Sequence, residues 1–348
     1  MSVKMDRSTD ALPRSSSDDM NSFIRVDQSS PDSEEPDSSE SDEMKEDPSP
    51  DDFPTGQISP DRMKFFRLDK ILGKGSFGTV YQAIHLPTGI GCVVKVVPKS
   101  SPEIRGMALH EAHVGMTVVS KCVCNTLACA EDGENVYIIM EHIEGMDLHE
   151  FIVTRPRIFQ SNPCLFLFVI QKIAQGIKDL HDAGFVHADI KPENVFIGLS
   201  PGETQITCVK LIDFGLSKST SEIKGHTAGT YDYLAPEIAK DDDRDSRIDI
   251  WSFGITMYAM FMMAIPSRIA SKNPNIYLRK MEVLQNLRKL PMDEVFMPFK
   301  AISTNPKYAM IQQVIMWCLT VNPLSRPTSE EVLAKLREMS SNFQKKDA

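Results

Sequence analysis

The most informative stretch of the chain is an octapeptide near its middle, His187-Ala188-Asp189-Ile190-Lys191-Pro192-Glu193-Asn194. It combines a carboxylate, an ammonium group and a side-chain amide within six residues, at Asp189, Lys191 and Asn194. Asn194 stands five residues after Asp189. With one tight turn between them, this spacing places the amide oxygen of Asn194 at the same site as the carboxylate of Asp189. Carboxylate and amide oxygens are hard ligands that suit Mg²⁺. The stretch therefore predicts a site for phosphate chemistry.

A glycine-rich loop lies upstream, between predicted strands at 66–72 and 79–84. A strand follows this loop, whereas a helix follows the loop of a dinucleotide-binding fingerprint. Glycines let the backbone approach phosphates closely. The candidate nucleotide-binding residues of this loop are Gly73, Gly75, Ser76, Phe77, Gly78 and Val80.

Lys95 lies in the middle of a third predicted strand, with two valines on either side. An unpaired buried charge is costly, so this ammonium group needs a partner. We expect that partner to be Glu111, on a predicted helix at 103–119. Gly115 lies on the same helical face and weakens the helix by about 1 kcal/mol relative to alanine. The helix is therefore expected to be loosely held there. Either the assignment of Glu111 is off by a few residues, or Met116 fills the gap.

Three further motifs follow, Asp213-Phe214-Gly215, Gly229-Thr230-Tyr231-Asp232-Tyr233-Leu234-Ala235-Pro236-Glu237 and Asp249-Ile250-Trp251-Ser252-Phe253-Gly254. With the octapeptide and the glycine loop, they resemble the motifs of eukaryotic-type protein kinases. The resemblance covers residues 65–340, about four-fifths of the chain. It implies an α+β, two-lobed kinase fold, with a β-rich N-lobe at 65–143, a helical C-lobe at 144–340, and ATP in the cleft.

The resemblance also implies a role for each matching residue. Asp189 is the catalytic base, Lys191 reaches the transferred phosphate, Lys95 and Glu111 form an ion pair, and Thr230 hydrogen-bonds Asp189 and Lys191. Asn194 and Asp213 hold Mg²⁺. For ATP, the implied contacts are Glu141 and Ile143 at the hinge, Asp147 at the ribose, and Val80, Val93 and Phe196 around the adenine. Glu237 is expected to pair with Arg326.

Two features bear on which hydroxyl group accepts the phosphate. Lys191 and the segment beginning at Gly229 resemble serine/threonine kinases rather than tyrosine kinases. Asp147 and Glu193 match positions where some family members bind an arginine upstream of the acceptor. The predicted partners are therefore protein substrates, with a mild preference for upstream basic residues.

Ala188 departs from the family pattern, which has arginine before the catalytic aspartate. That arginine pairs with a phosphate on the activation loop through a charge-assisted bond. His226 occupies the loop position that usually receives the phosphate. Because both the arginine and the residue that receives the phosphate are missing, we expect activity without activation-loop phosphorylation. Ser217, Ser219, Thr220, Ser221 and Thr227 leave other phosphorylation sites open.

Residues 1–60 form an acidic segment rich in serine and proline. They contain 16 Asp/Glu and 5 Lys/Arg, a net charge of −11, whereas the whole chain carries −10. A segment with so little apolar surface is predicted to be disordered. It can be phosphorylated, at Ser-Pro pairs beginning at Ser30, Ser49 and Ser59, or bind regulators. An acidic tail before a single divergent kinase domain also resembles virus-encoded serine/threonine kinases, herpesvirus ones included.

Composition and the lengths of the apolar runs bear on where in the cell the protein is located. The first residues lack the apolar core of a signal peptide, and no apolar run approaches the 20 or so residues that a membrane span needs. Seven cysteines without a dense framework suit a reducing compartment. We expect an intracellular protein, in cytoplasm or nucleus (of a host cell, if viral), with no direct nucleic-acid or membrane binding. Two alternatives stay open, a pseudokinase scaffold and a kinase of small molecules.

Overall fold

A computed structural model of the chain describes residues 52–75, 77–203, 205–223, 229–242, 244–291 and 306–347. These residues fall into two compact units. The smaller unit holds residues 52–105 and 127–142, and the larger unit holds 106–126 and 143–347. The chain passes from the smaller to the larger unit at 142/143, one residue from the predicted lobe boundary at 143/144, but residues 106–126, expected in the N-lobe, cluster with the larger unit.

The smaller unit is built on a six-stranded sheet with the order β1-β5-β6-β4-β3-β2. Its strands are β1 Gly56–Gln57, β2 Phe66–Lys74, β3 Thr79–His85, β4 Ile90–Pro98, β5 Thr126–Glu131 and β6 Asn135–Glu141. Alternating and β-branched runs predict strands at 66–72, 79–84, 92–97 and 136–140, and β2, β3, β4 and β6 lie within two residues of these positions. Sequence reasoning missed β5, because its Leu-Ala-Cys-Ala run has weak strand propensity.

The ordered region begins earlier than expected. The sequence placed residues up to 60 in the tail, but β1 pairs in parallel with β5, and Ile58 is 5% exposed in the core of the smaller unit. Phe53 packs edge-on against Phe66, with ring centroids 6.0 Å apart. The end of the tail is therefore corrected to about residue 52; the rest of the predicted tail lies outside the described residues.

The larger unit is mainly helical. Its helices are α1 Pro102–Thr117 (the first residues of which belong to the smaller unit), α2 Leu148–Thr154, α3 Ile158–Ser161, α4 Pro163–Asp182, α5 Pro236–Lys240, α6 Arg247–Met262, α7 Ile276–Arg288, α8 Pro306–Cys318 and α9 Ser329–Asp347. Short strands complete it: β7 Gly145–Asp147, β8 Phe185–Val186, β9 Val195–Leu199, β10 Ile206–Leu211 and β11 Lys218–Ser219. They form the ladders β10-β9-β7 and β11-β8.

Helix α6 is the centre of the core of this unit. Every residue from Ile248 to Phe261 is buried, including Trp251 at 0% exposure. Beside it, Arg326 and Glu237 form the expected ion pair, with N–O distances of 2.7 and 2.9 Å and both residues almost fully buried. Arg326 also donates to three backbone carbonyl oxygens, so its buried charge is fully surrounded by acceptors.

The spacing of apolar residues predicts helices at 163–183, 248–263, 308–319 and 328–339, and these correspond to α4, α6, α8 and α9, although α9 extends to Asp347. Helix α7 was not predicted. Its N-terminal turn exposes the apolar residues Ile276, Tyr277 and Leu278, so the spacing of apolar residues does not follow the helical period. Among the described residues, no helix combines the length and the apolarity that crossing a membrane requires.

Candidate active site

The octapeptide at 187–194 forms a loop, here called the catalytic loop. The side chain of Asp249, at the start of α6, binds the backbone of this loop. Its two carboxylate oxygens accept hydrogen bonds from the backbone N–H groups of His187 and Ala188, each at 2.8 Å. Ala188 has a φ of +64°, a left-handed conformation that is strained for a residue with a Cβ. Two charge-assisted bonds to a fully buried carboxylate can maintain such a conformation.

Asp189, the predicted base, receives three donors. Its Oδ1 accepts from the backbone N–H of Thr230 at 2.9 Å, and its Oδ2 accepts from Asn194 Nδ2 at 3.0 Å. Lys191 Nζ lies 2.8 Å from Oδ2 and donates to Thr230 Oγ1 at 2.7 Å. Burial works to lower the pKa of Lys191, but the Asp189 carboxylate outweighs it, and the pKa is raised. The lysine therefore stays protonated.

Asn194 and Asp213 fit the role of metal ligands. Asn194 directs its side-chain N–H₂ group at Asp189, at the carbonyl oxygen (2.8 Å) and at Oδ2, so its Oδ1 points away from the catalytic loop. Ile212 donates its N–H to the carbonyl oxygen of Asn194 at 3.0 Å, which brings Asp213 beside this amide. Asp213 itself is exposed and has a φ of +64°. Asn194 directly precedes β9 and Asp213 follows β10, the neighbouring strand, and two oxygen donors at these positions match the requirement of Mg²⁺.

The Asp-Phe-Gly turn contacts both the catalytic loop and α1. The Phe214 ring is buried against His187, with ring centroids 5.5 Å apart. Gly215 lies so near Glu111 that an added Cβ would come within 3.3 Å of Glu111 Oε2. The structure thus places Glu111, buried on α1, next to this turn. Its predicted partner Lys95 belongs to the smaller unit, and the pairing of the two stays a prediction.

Gly115 is explained by a neighbour that the sequence did not suggest. A Cβ at this position would overlap the Thr126 hydroxyl and lie 2.9 Å from Thr126 Cβ. Thr126 therefore occupies the space beside the glycine. Whether Met116 also fills space beside the glycine stays a prediction.

A hydrogen bond from Gly75 N–H to the Gly78 carbonyl oxygen, at 2.9 Å, links the two sides of the glycine loop. Packing requires glycine at Gly78, where a Cβ would overlap the backbone of Val96. At Gly73 a Cβ would meet nothing within 4 Å, and at Gly75 only an atom at 3.9 Å. Because protein packing does not demand glycine at these two positions, close approach of a ligand is the better reason for it. Ser76 lies outside the described residues, and Phe77 is half-buried.

The other predicted nucleotide contacts are divided between the units. In the smaller unit, Val80 lies opposite Lys95 in the β3–β4 register, Lys95 is 9% exposed, and Glu141 ends β6. In the larger unit, Asp147 lies opposite Phe196 in the β7–β9 register, and Ile143 packs near Gly198 of the same ladder. Asp147 also caps α2 by accepting from Glu150 N–H at 2.8 Å.

Glu193 is a carboxylate without a described partner for one oxygen. Its Oε2 is buried and accepts no hydrogen bond among the described residues. Burial raises the pKa of Glu193, against the opposing effects of Lys191 and His149, and Asp147 raises it further. A buried acceptor of this kind is well suited to a cationic group of a ligand.

Sequence reasoning missed two side chains that contact residues next to the site, His181 and Arg279. His181 on α4 contacts Asp249 Oδ2 through Nε2 at 2.9 Å and Ser329 Oγ through Nδ1 at 3.1 Å. Arg279 on α7 donates to Asp232 Oδ2 at 2.6 Å, within the segment that begins at Gly229. Neither lies in a recognisable motif, and only tertiary contact reveals them.

Comparison with known proteins agrees with this geometry. The model of the protein kinase domain family matches residues 66–336. The chain therefore belongs to the protein kinase family, whose members use ATP with Mg²⁺. This membership confirms the predicted α+β kinase fold, with a β-rich N-terminal region followed by a helical C-terminal region.

Similar curated proteins include a serine/threonine-protein kinase pkn2 from Myxococcus xanthus, 29% identical over 291 residues and 80% of this chain. Aurora kinases from Eremothecium gossypii and Schizosaccharomyces pombe are 27% and 28% identical over 63% and 72% of the chain. The matches cover 33% of the Myxococcus protein, 59% of the Eremothecium protein and 70% of the Schizosaccharomyces protein. The chain thus spans well under two-thirds of the Myxococcus relative and somewhat under two-thirds of the Eremothecium one.

Proposed function

We propose that the chain is an active serine/threonine protein kinase that transfers the γ-phosphate of ATP to protein hydroxyl groups. The observation that carries this proposal is the convergence of Lys191, Thr230 and Asn194 on the carboxylate of Asp189. Asp189 orients the acceptor hydroxyl and takes its proton, while Lys191 neutralises charge on the transferred group. Mg²⁺, held by Asn194 and Asp213, would supply the remaining charge neutralisation.

The test is transfer of labelled phosphate from Mg-ATP to a generic basic protein, with Asp189→Asn and Lys95→Met beside the wild type. Asp189→Asn keeps the shape of the side chain but removes the base. We expect it to lower kcat by about 10²- to 10⁴-fold, the usual contribution of a positioned base. If all three proteins bind ATP and none transfers phosphate, the chain is a pseudokinase scaffold and the proposal is wrong.

We further propose that activity does not require a phosphorylated activation loop. Ala188 offers no cation for a phosphate, and the backbone of the catalytic loop is held instead by Asp249. Thr230 contacts Asp189 through its backbone N–H and Lys191 through its hydroxyl group. Ser217 is buried and donates to the Phe214 carbonyl oxygen at 2.7 Å, which argues against its modification. His226 and Thr227 lie outside the described residues.

Phosphatase treatment tests this second proposal. We expect the treated wild type to keep its kcat, and Thr220→Ala with Ser221→Ala to have no effect. Loss of activity on dephosphorylation, reproduced by a loop variant, would show that the chain depends on a loop phosphate after all.

We also propose a preference for substrates with a basic residue upstream of the acceptor. Glu193 Oε2 is buried without an acceptor role among the described residues, and Asp147 lies near enough to influence its pKa. A guanidinium group would satisfy both carboxylates. A peptide library is the direct test, and equal rates for basic and neutral upstream residues would contradict the preference.

The proposed location is inside the cell, in the cytoplasm or nucleus. The cysteine usage supports it, since the seven cysteines are all free thiols and five of them are buried. Imaging of a fluorescently tagged chain tests this. The regulators or modifying kinases of the acidic tail remain predictions; of the three Ser-Pro sites, only Ser59 lies among the described residues.

A further inference from the structure

Helix α7 presents an apolar face to solvent. Its buried side consists of Val283 and Leu287, one turn apart and fully inaccessible. Its outer side carries Tyr277 (58% exposed), Leu278 (49%) and Met281 (36%), with Ile276 (42%) in the same first turn. Tyr277 and Met281 are four residues apart and Leu278 and Met281 three, so they share one helical face. Contiguous apolar exposure of this kind marks an interaction surface.

The segment of the chain that contains this face is basic. Residues 263–291 contain six Lys/Arg and one Asp/Glu, a net charge of +5, although residues 61–348 together carry only about +1. The single acid, Glu282, is occupied by hydrogen bonds from Ser271 and Asn273 in the preceding loop. The α7 surface, defined as the exposed face of α7 with Lys272, Lys280 and Lys289, therefore fits a partner that is acidic and carries apolar anchors.

The chain itself contains a segment with this chemistry. Residues 18–47 hold twelve Asp/Glu and two Lys/Arg, a net charge of −10. Within them lies Phe23-Ile24-Arg25-Val26, which includes the single aromatic residue of residues 1–51. From Phe23 to Asp52 there are 29 residues. A flexible chain of that length spans about 30 Å on average and up to about 100 Å when extended.

We propose that the acidic N-terminal segment docks on the α7 surface, with Phe23, Ile24 and Val26 against Tyr277, Leu278 and Met281. The flanking carboxylates then lie near Lys272, Lys280 and Lys289. The docked segment is adjacent to the acceptor-binding region, because Arg279 holds Asp232 and the ammonium group of Lys280 lies 5.2 Å from the centre of the Tyr231 ring. Docking depends on this charge and apolar complementarity and not on catalysis.

The experiment is lysine footprinting of the full-length chain, in which acetylation rates are followed by mass spectrometry. Lys272, Lys280 and Lys289 report on the α7 surface. Lys335 on α9, which pairs with Glu338 at 2.9 Å, is the reference. The tail variant carries Phe23→Ser and Ile24→Ser, which leaves the charge unchanged. The surface variant carries Tyr277→Ser and Leu278→Ser at exposed positions, and its Tm is measured to confirm folding.

We expect the three reporter lysines to react about two- to tenfold faster in either variant, as for a weak contact at millimolar effective concentration. High salt should produce the same increase in the wild type, since it screens the charges. Combining the two variants should add nothing further, because both remove one contact. The rate at Lys335 should not change.

Three outcomes would overturn the proposal. Equal reporter rates in the wild type and the tail variant would show that the tail does not cover α7. An increase in the surface variant alone would assign the contact to another segment, such as residues 292–305, which lie outside the described residues. Protection that rises with protein concentration would identify a second copy of the chain as the occupant.

Discussion

At the scale of single residues, Asp189 depends on neighbours from three different places in the chain. Asn194 belongs to its own loop, Lys191 lies two residues away, and Thr230 comes from 41 residues downstream. The Thr230 side chain accepts from Lys191 while its backbone donates to Asp189. This threonine therefore links the base and the lysine, and its hydroxyl can be removed without disturbing the backbone bond.

The first prediction concerns that hydroxyl. Thr230→Val keeps the side-chain shape but removes the acceptor for Lys191 Nζ. A hydrogen bond to a charged group contributes about 1.5–3 kcal/mol, so we expect kcat to fall by at least about tenfold. Thr230→Ser keeps the oxygen and should retain most of the activity. Steady-state kinetics with both variants makes the measurement, and equal rates for Val and Ser would refute the role of the hydroxyl.

The second prediction is a pH dependence at Glu193. Since burial raises the pKa of Glu193, its carboxylate loses its charge at a higher pH than an ordinary glutamate. Binding of an upstream arginine is complete above that raised pKa and weakens as the pH falls through it. We expect the KM for an arginine-containing peptide to rise by about tenfold over this fall, a change of about 1.4 kcal/mol.

Glu193→Gln is the control for this effect. The KM of the variant should be high at every pH and nearly independent of it, and a peptide with norleucine in place of arginine should behave in the same way with the wild type. A wild-type KM that stays constant with pH for the arginine peptide would remove Glu193 from substrate recognition.

At the scale of elements, α1 and the start of β5 show how close packing selects a residue type. Gly115 looked like a weak point in a helix that carries Glu111. The structure shows that the Thr126 side chain occupies the position of the missing Cβ. The glycine therefore allows α1 to approach Thr126, and this contact has no counterpart in helix periodicity.

The third prediction compares two glycines of α1. Gly115→Ala should gain about 1 kcal/mol of helix propensity but lose about 1–3 kcal/mol through overpacking against Thr126. We expect a net loss of stability, seen as a lower Tm. Gly106 is exposed, and a Cβ there would meet nothing within 4 Å, so Gly106→Ala should raise the Tm. Adding Thr126→Ala to Gly115→Ala should recover part of the loss, and a Tm increase in Gly115→Ala alone would disprove the clash.

At the scale of the whole molecule, the described structure begins before the family match at residue 66. Strand β1 covers the edge of β5, and Ile58 donates its N–H to the Cys129 carbonyl oxygen at 2.9 Å while its side chain enters the core. An exposed sheet edge invites aggregation, so a covering strand serves stability as well as packing. The residues just after the acidic tail are thus part of the kinase fold.

The fourth prediction tests this extension. Ile58→Ala in the full chain should lower the free energy of unfolding by about 2–5 kcal/mol, the usual cost of truncating a buried isoleucine. Gln57→Ala, on an exposed neighbour in the same strand, should change it by less than about 0.5 kcal/mol. Denaturant melts of both variants make the comparison. Similar values for the two would show that the extension does not stabilise the fold.

The sequence alone determined the family, the order of its motifs and the candidate site residues Asp189, Lys191, Asn194 and Asp213. These residues are close along the chain or lie in fixed motifs, and local spacing constrains them strongly. The tertiary structure decided that Asp249, contacted by His181, binds the backbone of the loop at 187–194, that Thr126 requires Gly115, and that β1 joins the sheet while Phe53 and Ile58 pack in the core. Each of these contacts unites residues distant in sequence, and no local propensity or periodicity records which distant side chain will fill a given space.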